Sequence, residues 1–150
     1  MESRKSDQKG DLSYDVDAKP FRMLSLFDSE QAGTEAEVTT ELVLRELGTG
    51  IEADRSIWHI QSLDSIATRS RVAEEAARAD VIVLALADDK PSKILKQWVA
   101  EWQKSRELNG GLIALIPSGE SETGGDLADF LYETAVTARM DFLCQRKRRG

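Results

Sequence analysis

Four short apolar runs alternate along the chain with longer stretches in which apolar residues recur every three to four positions. The clearest run, residues 79–87, reads Ala-Asp-Val-Ile-Val-Leu-Ala-Leu-Ala and ends in Asp88-Asp89. It is apolar on both faces, as a strand must be when it lies inside a parallel sheet covered by helices. Further strands are predicted at 22–27, ending at Asp28, at 56–61, and at 112–116, closed by Pro117-Ser118-Gly119. A shorter fifth strand, 141–144, suits a sheet edge.

The stretches between carry the helical period. The first helix is expected from near Thr34, where Glu37 completes a capping box after a polar loop at 29–33. Val38, Leu42, Val43 and Leu47 form its inward stripe, and Gly48 ends it. The second spans about 65–79 with Ile66, Val72, Ala73, Ala76 and Ala77 inward, small residues that suit close approach to a sheet. Pro91 stands at or before the first turn of the third helix. Ile94, Leu95, Trp98, Val99 and Trp102 give that helix the strongest stripe in the chain, and Asn109-Gly110-Gly111 ends the segment. The fourth begins at Asp126, with Leu127, Phe130, Leu131, Thr134, Ala135 and Ala138 inward.

The order is therefore βαβαβαβαβ. Strands joined by helices run parallel, with right-handed crossovers. The fold class expected is α/β: a three-layer α/β/α sandwich with a five-stranded parallel sheet in the flavodoxin-like order 2-1-3-4-5. It occupies residues 21–145, after a flexible N-terminal arm at 1–20 and before a basic tail at 146–150.

Bulk composition narrows the function. A chain of 150 residues makes one domain, able to bury roughly two-thirds of its unfolded surface. Its net charge of −7 argues against nucleic-acid binding, which needs a basic face. The cluster Arg146-Lys147-Arg148-Arg149 reads as a solvated tail; its sharper reading is a contact to an acidic partner or an anionic membrane. One cysteine, Cys144, and one histidine, His59, exclude an internal disulfide and a His/Cys metal site, and point to a reducing cytoplasm. The first residues lack the apolar core of a signal peptide, and no apolar run spans a bilayer, so no membrane association is expected.

Open parallel sheets bind ligands beyond the carboxyl ends of their strands, beside the switch point between the first and third. Asp28, Ser29, Glu30, Asp88, Asp89, Lys90 and Ser118 fall on that rim, with Ser62 and Asp64 near it. The rim is acidic. Asp28, Asp88 and Asp89 are the candidate ligands for a magnesium ion, although Asp88 and Asp89 also read as solvated loop acids or caps for the helix that follows.

The segment 71–89, Arg-Val-Ala-Glu-Glu-Ala-Ala-Arg-Ala-Asp-Val-Ile-Val-Leu-Ala-Leu-Ala-Asp-Asp, resembles the helix and third strand of response-regulator receiver domains. The layout of 21–145 is similar to theirs throughout. The resemblance implies a phosphoryl-accepting aspartate at the end of the third strand, but Ala85 stands there, without an oxygen to phosphorylate. Asp28 corresponds to one acid of the magnesium pair, and Ser118 to the hydroxyl residue after the fourth strand. Cys144-Gln145 lies where a lysine is expected. The resemblance is thus to a receiver that does not switch through phospho-aspartate.

The chain has two other likenesses. The loop 28–35 has the gross shape of the flavodoxin loop that cradles the FMN phosphate, but Asp28 and Glu30 would face that anion. The flavin-stacking aromatics are absent from the later loops. Trp98 followed three residues on by Glu101 resembles TIR domains, whose enzymatic members cleave NAD with that glutamate. Here the spacing from the third strand is longer, and the cysteine after the tryptophan is missing.

Among single residues, His59 lies mid-strand and reads as structural, and Cys144 as an inert buried thiol. Gly110-Gly111 and Gly124-Gly125 read as turns, and no Gly-x-Ser-x-Gly elbow is present. Trp98 and Trp102 read as core, with an apolar interface as the sharper alternative. No nucleophile, base and oxyanion donor converge. The expectation is a non-catalytic cytoplasmic regulatory or protein-interaction domain without a cofactor, meeting a protein partner or its own copy through a helical face and the acidic rim. The alternative is a ligand-binding module or small enzyme using that rim for a nucleotide, a flavin or magnesium-held phosphate.

Overall fold

A computed structural model of the chain describes residues 20–48, 50–117 and 126–147. The elements are β1 (Phe21–Phe27), α1 (Glu30–Leu47), β2 (Ala53–His59), a 3₁₀ turn (Ile60–Asp64), α2 (Ile66–Arg78), β3 (Val81–Ala85), α3 (Lys93–Trp102), β4 (Gly110–Pro117), α4 (Asp126–Ala138) and β5 (Met140–Lys147). The five strands pair in the order β2-β1-β3-β4-β5, all parallel. This is the flavodoxin-like α/β sandwich that the pattern predicts.

The strand order dictates how the helices divide. The chain steps from β1 outward to β2, then returns past β1 to β3, β4 and β5. Right-handed crossovers put helices on opposite faces when the direction of travel reverses. Accordingly α2, α3 and α4 share one face, where Leu24, Leu26, Ile82, Leu84, Leu112 and Ile116 meet Val72, Leu95, Trp98, Trp102, Leu127 and Leu131. On the other face α1 covers Met23, Val83, Ala85 and Leu115 with Ala32 and Ala36. Val72, Leu95, Trp98, Val99, Trp102, Leu127 and Leu131 are all buried, as their spacing requires. Trp98 and Trp102 meet edge to face at 5.4 Å, and neither indole N–H finds a hydrogen-bond partner among the described residues.

Helix α1 departs from its expected form. It starts at Glu30, not near Thr34, because Ser29 caps it: the hydroxyl accepts from the Ala32 N–H at 3.2 Å. The stretch expected as a loop is the first turn of the helix. Its inward face is also different. Ala32, Gly33, Ala36 and Thr40 are buried, with Val43 and Leu44 packed at the margin, whereas Val38, Leu42 and Leu47 are 55%, 51% and 41% exposed. A Cβ on Gly33 would lie 3.1 Å from the Phe27 ring, so small residues let α1 settle onto β1. Thr40 accepts the same logic: its hydroxyl lies 3.3 Å from that of Ser25 and donates to Ala36 O.

Other differences are smaller. Strand β2 begins three residues early and gives way to the 3₁₀ turn at Ile60. Ile66, expected inward on α2, is 72% exposed. Gly110 and Gly111 open β4 instead of forming a turn. A Cβ on Gly110 would stand 2.5 Å from Asp80 O and 2.7 Å from an Arg106 nitrogen, a close approach only glycine allows. Strand β5 runs through Arg146 and Lys147, two residues assigned to the tail, and so sets Lys147 in register with Pro117. The arm at 1–19, Ser118, Gly124-Gly125 and the last three residues lie outside the described residues.

Candidate functional site

The carboxyl rim of the sheet is built around Asp28. Strand β1 ends at Phe27, and the carboxylate that follows reaches across to the loop after β3. Its Oδ1 and Oδ2 accept the Ala87 N–H at 2.8 and 3.0 Å, and Oδ2 also accepts the Asp88 N–H at 3.2 Å. A carboxylate holding two backbone N–H groups is a charge-assisted tie between loops. The tie continues one residue earlier, where Leu86 N–H donates to Leu115 O at 2.9 Å.

The remaining rim residues divide by exposure. Ser29 is occupied as the cap of α1, and Glu30 is exposed in its first turn. Asp88 and Asp89 are exposed, and neither caps α3. That cap is Ser92, whose hydroxyl accepts from Leu95 N–H at 3.2 Å. Ala85, the last residue of β3, is completely buried. Among the described residues no group of three or more His, Cys, Asp or Glu is placed to hold a metal ion. An open hollow of about 440 Å³ lies between the start of α3 and α4, lined by Lys90, Pro91, Lys96, Asp126, Asp129, Phe130 and Glu133.

His59 and Glu101 are both engaged. His59 Nδ1 accepts from Gln61 N–H at 3.1 Å, which assigns the ring proton of the neutral form to Nε2, and the ring packs on Phe27 at 5.0 Å. Glu101 pairs with Arg69 Nε at 2.7 Å and accepts from Ser70 at 3.4 Å, joining α3 to α2.

The amino ends of the strands, opposite the rim, hold groups that the sequence pattern did not reveal. Arg106, in the connection from α3 to β4, is 3% exposed. It donates to Ala76 O at 2.7 Å, Ala79 O at 2.9 Å and Leu108 O at 3.3 Å, so it caps the carbonyl end of α2. Burial pushes its pKa below the ordinary arginine value, and the nearby Asp80 carboxylate partly opposes that. Asp80 itself accepts the Arg22 N–H at 2.8 Å and returns its own N–H to Arg22 O at the same distance. The sole hint in the sequence was one basic residue amid a polar turn, which periodicity does not distinguish from a solvated one.

A hollow of about 330 Å³ also lies at this end, beside β2 and the end of α2. Arg22, Asp54, Arg55, Ser56, Glu75 and Arg78 line it. Most of its polar groups are matched: Glu75 accepts from Ser56 at 2.7 Å and from the Trp58 indole at 3.3 Å, and Arg55 pairs with Glu41. No described helix is long and apolar enough to cross a membrane. Compared with known proteins, the chain matches no family model and no curated sequence.

Proposed function

We propose that this chain is a non-catalytic regulatory or protein-interaction domain of receiver-like shape, acting in the cytoplasm and docking a protein partner on the outer face of α1. The observation that carries the reading is the orientation of Val38 and Leu42. They stand one helical turn apart, 55% and 51% exposed, on the side of α1 away from the sheet. Scattered exposed apolar residues are ordinary, but two bulky ones aligned at i and i+4, on a helix that buries alanine and glycine instead, fit a recognition face. The rim supports the same reading. Asp28 spends its carboxylate on loop backbone, and Ala85 offers no oxygen to a phosphoryl donor. Signalling by this domain then runs through contact, not phosphorylation of the usual aspartate.

Photo-crosslinking in cells tests this. A crosslinking residue at position 42 should give a protein adduct of one defined mass, and one at the exposed position 104 should not. Equal labelling at both, or none at 42, would contradict the proposal.

A further inference from the structure

Beyond that reading, and whatever α1 meets, we propose that the chain forms a two-fold homodimer by antiparallel pairing of β5 with its copy. Strand β5 pairs with β4 over all eight of its residues in unbroken register, and no described strand pairs with its other side. Edge strands are normally blunted by shortness, proline, a bulge, charged side chains or a covering element, and of these β5 carries only charges, which lie toward its ends and leave Phe142-Leu143-Cys144 between them. β5 has no proline, and its register with β4 has no bulge.

Exposed apolar side chains flank this one strand on both faces. Leu143, 62% exposed, shares the α1 face with Ile113, its partner in register. On the opposite face Tyr132 and Val136, each 55% exposed, stand one turn apart on α4. The Tyr132 ring meets Phe142 of β5 edge to face at 5.9 Å, so this flank of α4 is turned toward the free edge.

Charge selects the occupant and the direction. β5 carries Asp141 near its start and Arg146-Lys147 at its end. In-register parallel pairing would set Asp141 on Asp141 and Arg146 on Arg146, whereas antiparallel pairing about Leu143 opposes no two like charges within the strand and brings Asp141 diagonally toward the basic end of the other copy. A two-fold axis normal to the sheet keeps each face continuous, so residues directly opposite must share a face. The register that satisfies this and buries the most exposed side chain puts Leu143 against Leu143 of the second copy, with Phe142 against the second copy's Cys144. Paired strands stand about 4.8 Å apart and packed helices about 8–10 Å, so the two α4 flanks close over the junction, Tyr132 and Val136 between them.

Light-scattering mass measurement of the full chain over a dilution series tests the proposal. The wild type should be a dimer that dissociates on dilution, and Leu143→Lys and Val136→Lys should each give the monomer mass with an unchanged circular dichroism spectrum. Both sites are exposed, so the fold should survive either change. A second measurement places the axis. Leu143→Cys in a Cys144→Ser background should oxidise to a covalent dimer, and Leu108→Cys in the same background should not. A monomer at every concentration, a dimer that Leu143→Lys leaves intact, or equal crosslinking at 143 and 108 would overturn the proposal.

Discussion

The carboxylate of Asp28 holds the backbone N–H of Ala87 between its two oxygens, at 2.8 and 3.0 Å. This relationship ties the end of β1 to the loop after β3 across the switch point of the sheet. It also gives the acid most readily read as a metal ligand a structural duty. Asp28→Ala exchanges the acceptor of the Ala87 and Asp88 N–H groups for water and should destabilise by about 0.5–1.5 kcal/mol, whereas Asp28→Asn, which keeps an acceptor oxygen, should lose less. Asp88→Ala, at an exposed side chain, should stay within about 0.5 kcal/mol. Urea denaturation checks all three through the midpoint at constant slope.

Arg106 is the corresponding tie at the amino end of the sheet. Arg106→Met keeps much of the buried stem but strips Ala76 O, Ala79 O and Leu108 O of their donor, and should lower stability by roughly 2–4 kcal/mol. Arg106→Lys should recover only part of this, because one ammonium cannot reproduce the guanidinium fork. The pKa shift has a defined sign. The folded chain holds this proton less tightly than the unfolded one, so stability from this group is flat below the lowered folded value. It rises only as pH climbs from there toward the ordinary arginine value. Denaturation midpoints of wild type and Arg106→Met should therefore run parallel through neutral pH.

Gly110→Ala should be costly although the change adds a single methyl. The new Cβ would meet Asp80 O at 2.5 Å and the Arg106 guanidinium at 2.7 Å, and the first of these is backbone and cannot yield. A loss of about 1–3 kcal/mol is expected from overpacking. Gly111→Ala, whose Cβ would meet only a Val81 methyl at 4.0 Å, should be far milder. Thermal unfolding of the two variants side by side makes the comparison.

Val38 and Leu42 separate two accounts of α1. As core residues, each would lose about 2–5 kcal/mol on replacement by alanine. Exposed as they are, Val38→Ser and Leu42→Ser should each change stability by no more than about 0.5 kcal/mol.

The helices of the large face were legible because bulky residues recur on them at the helical period. Leu95, Trp98, Val99 and Trp102 on α3 are the plainest case, and all four are buried. Helix α1 was misread for the opposite reason. Its contact with the sheet uses Ala32, Gly33, Ala36 and Thr40, small residues that carry little hydrophobic signal, while Val38 and Leu42 supply the signal from the wrong side. The rim position of Asp28 followed from topology, but its engagement with Ala87 did not, since a side-chain bond to backbone across 59 residues leaves no periodic trace. Arg106 was hidden likewise: its partners are carbonyls, which every residue has.

On the function proposed above, Asp28 serves the loop and the rim has no metal-dependent switch. Thermal unfolding of wild type and Asp28→Ala, each with and without millimolar magnesium and a phosphoryl mimic, tests it most directly. Asp28→Ala should lower the midpoint by the same amount in every condition, with magnesium stabilising neither protein beyond its effect on ionic strength. A magnesium-dependent rise in the wild type that Asp28→Ala abolishes would contradict it, because a ligand bound well above its dissociation constant stabilises only the chain that binds it.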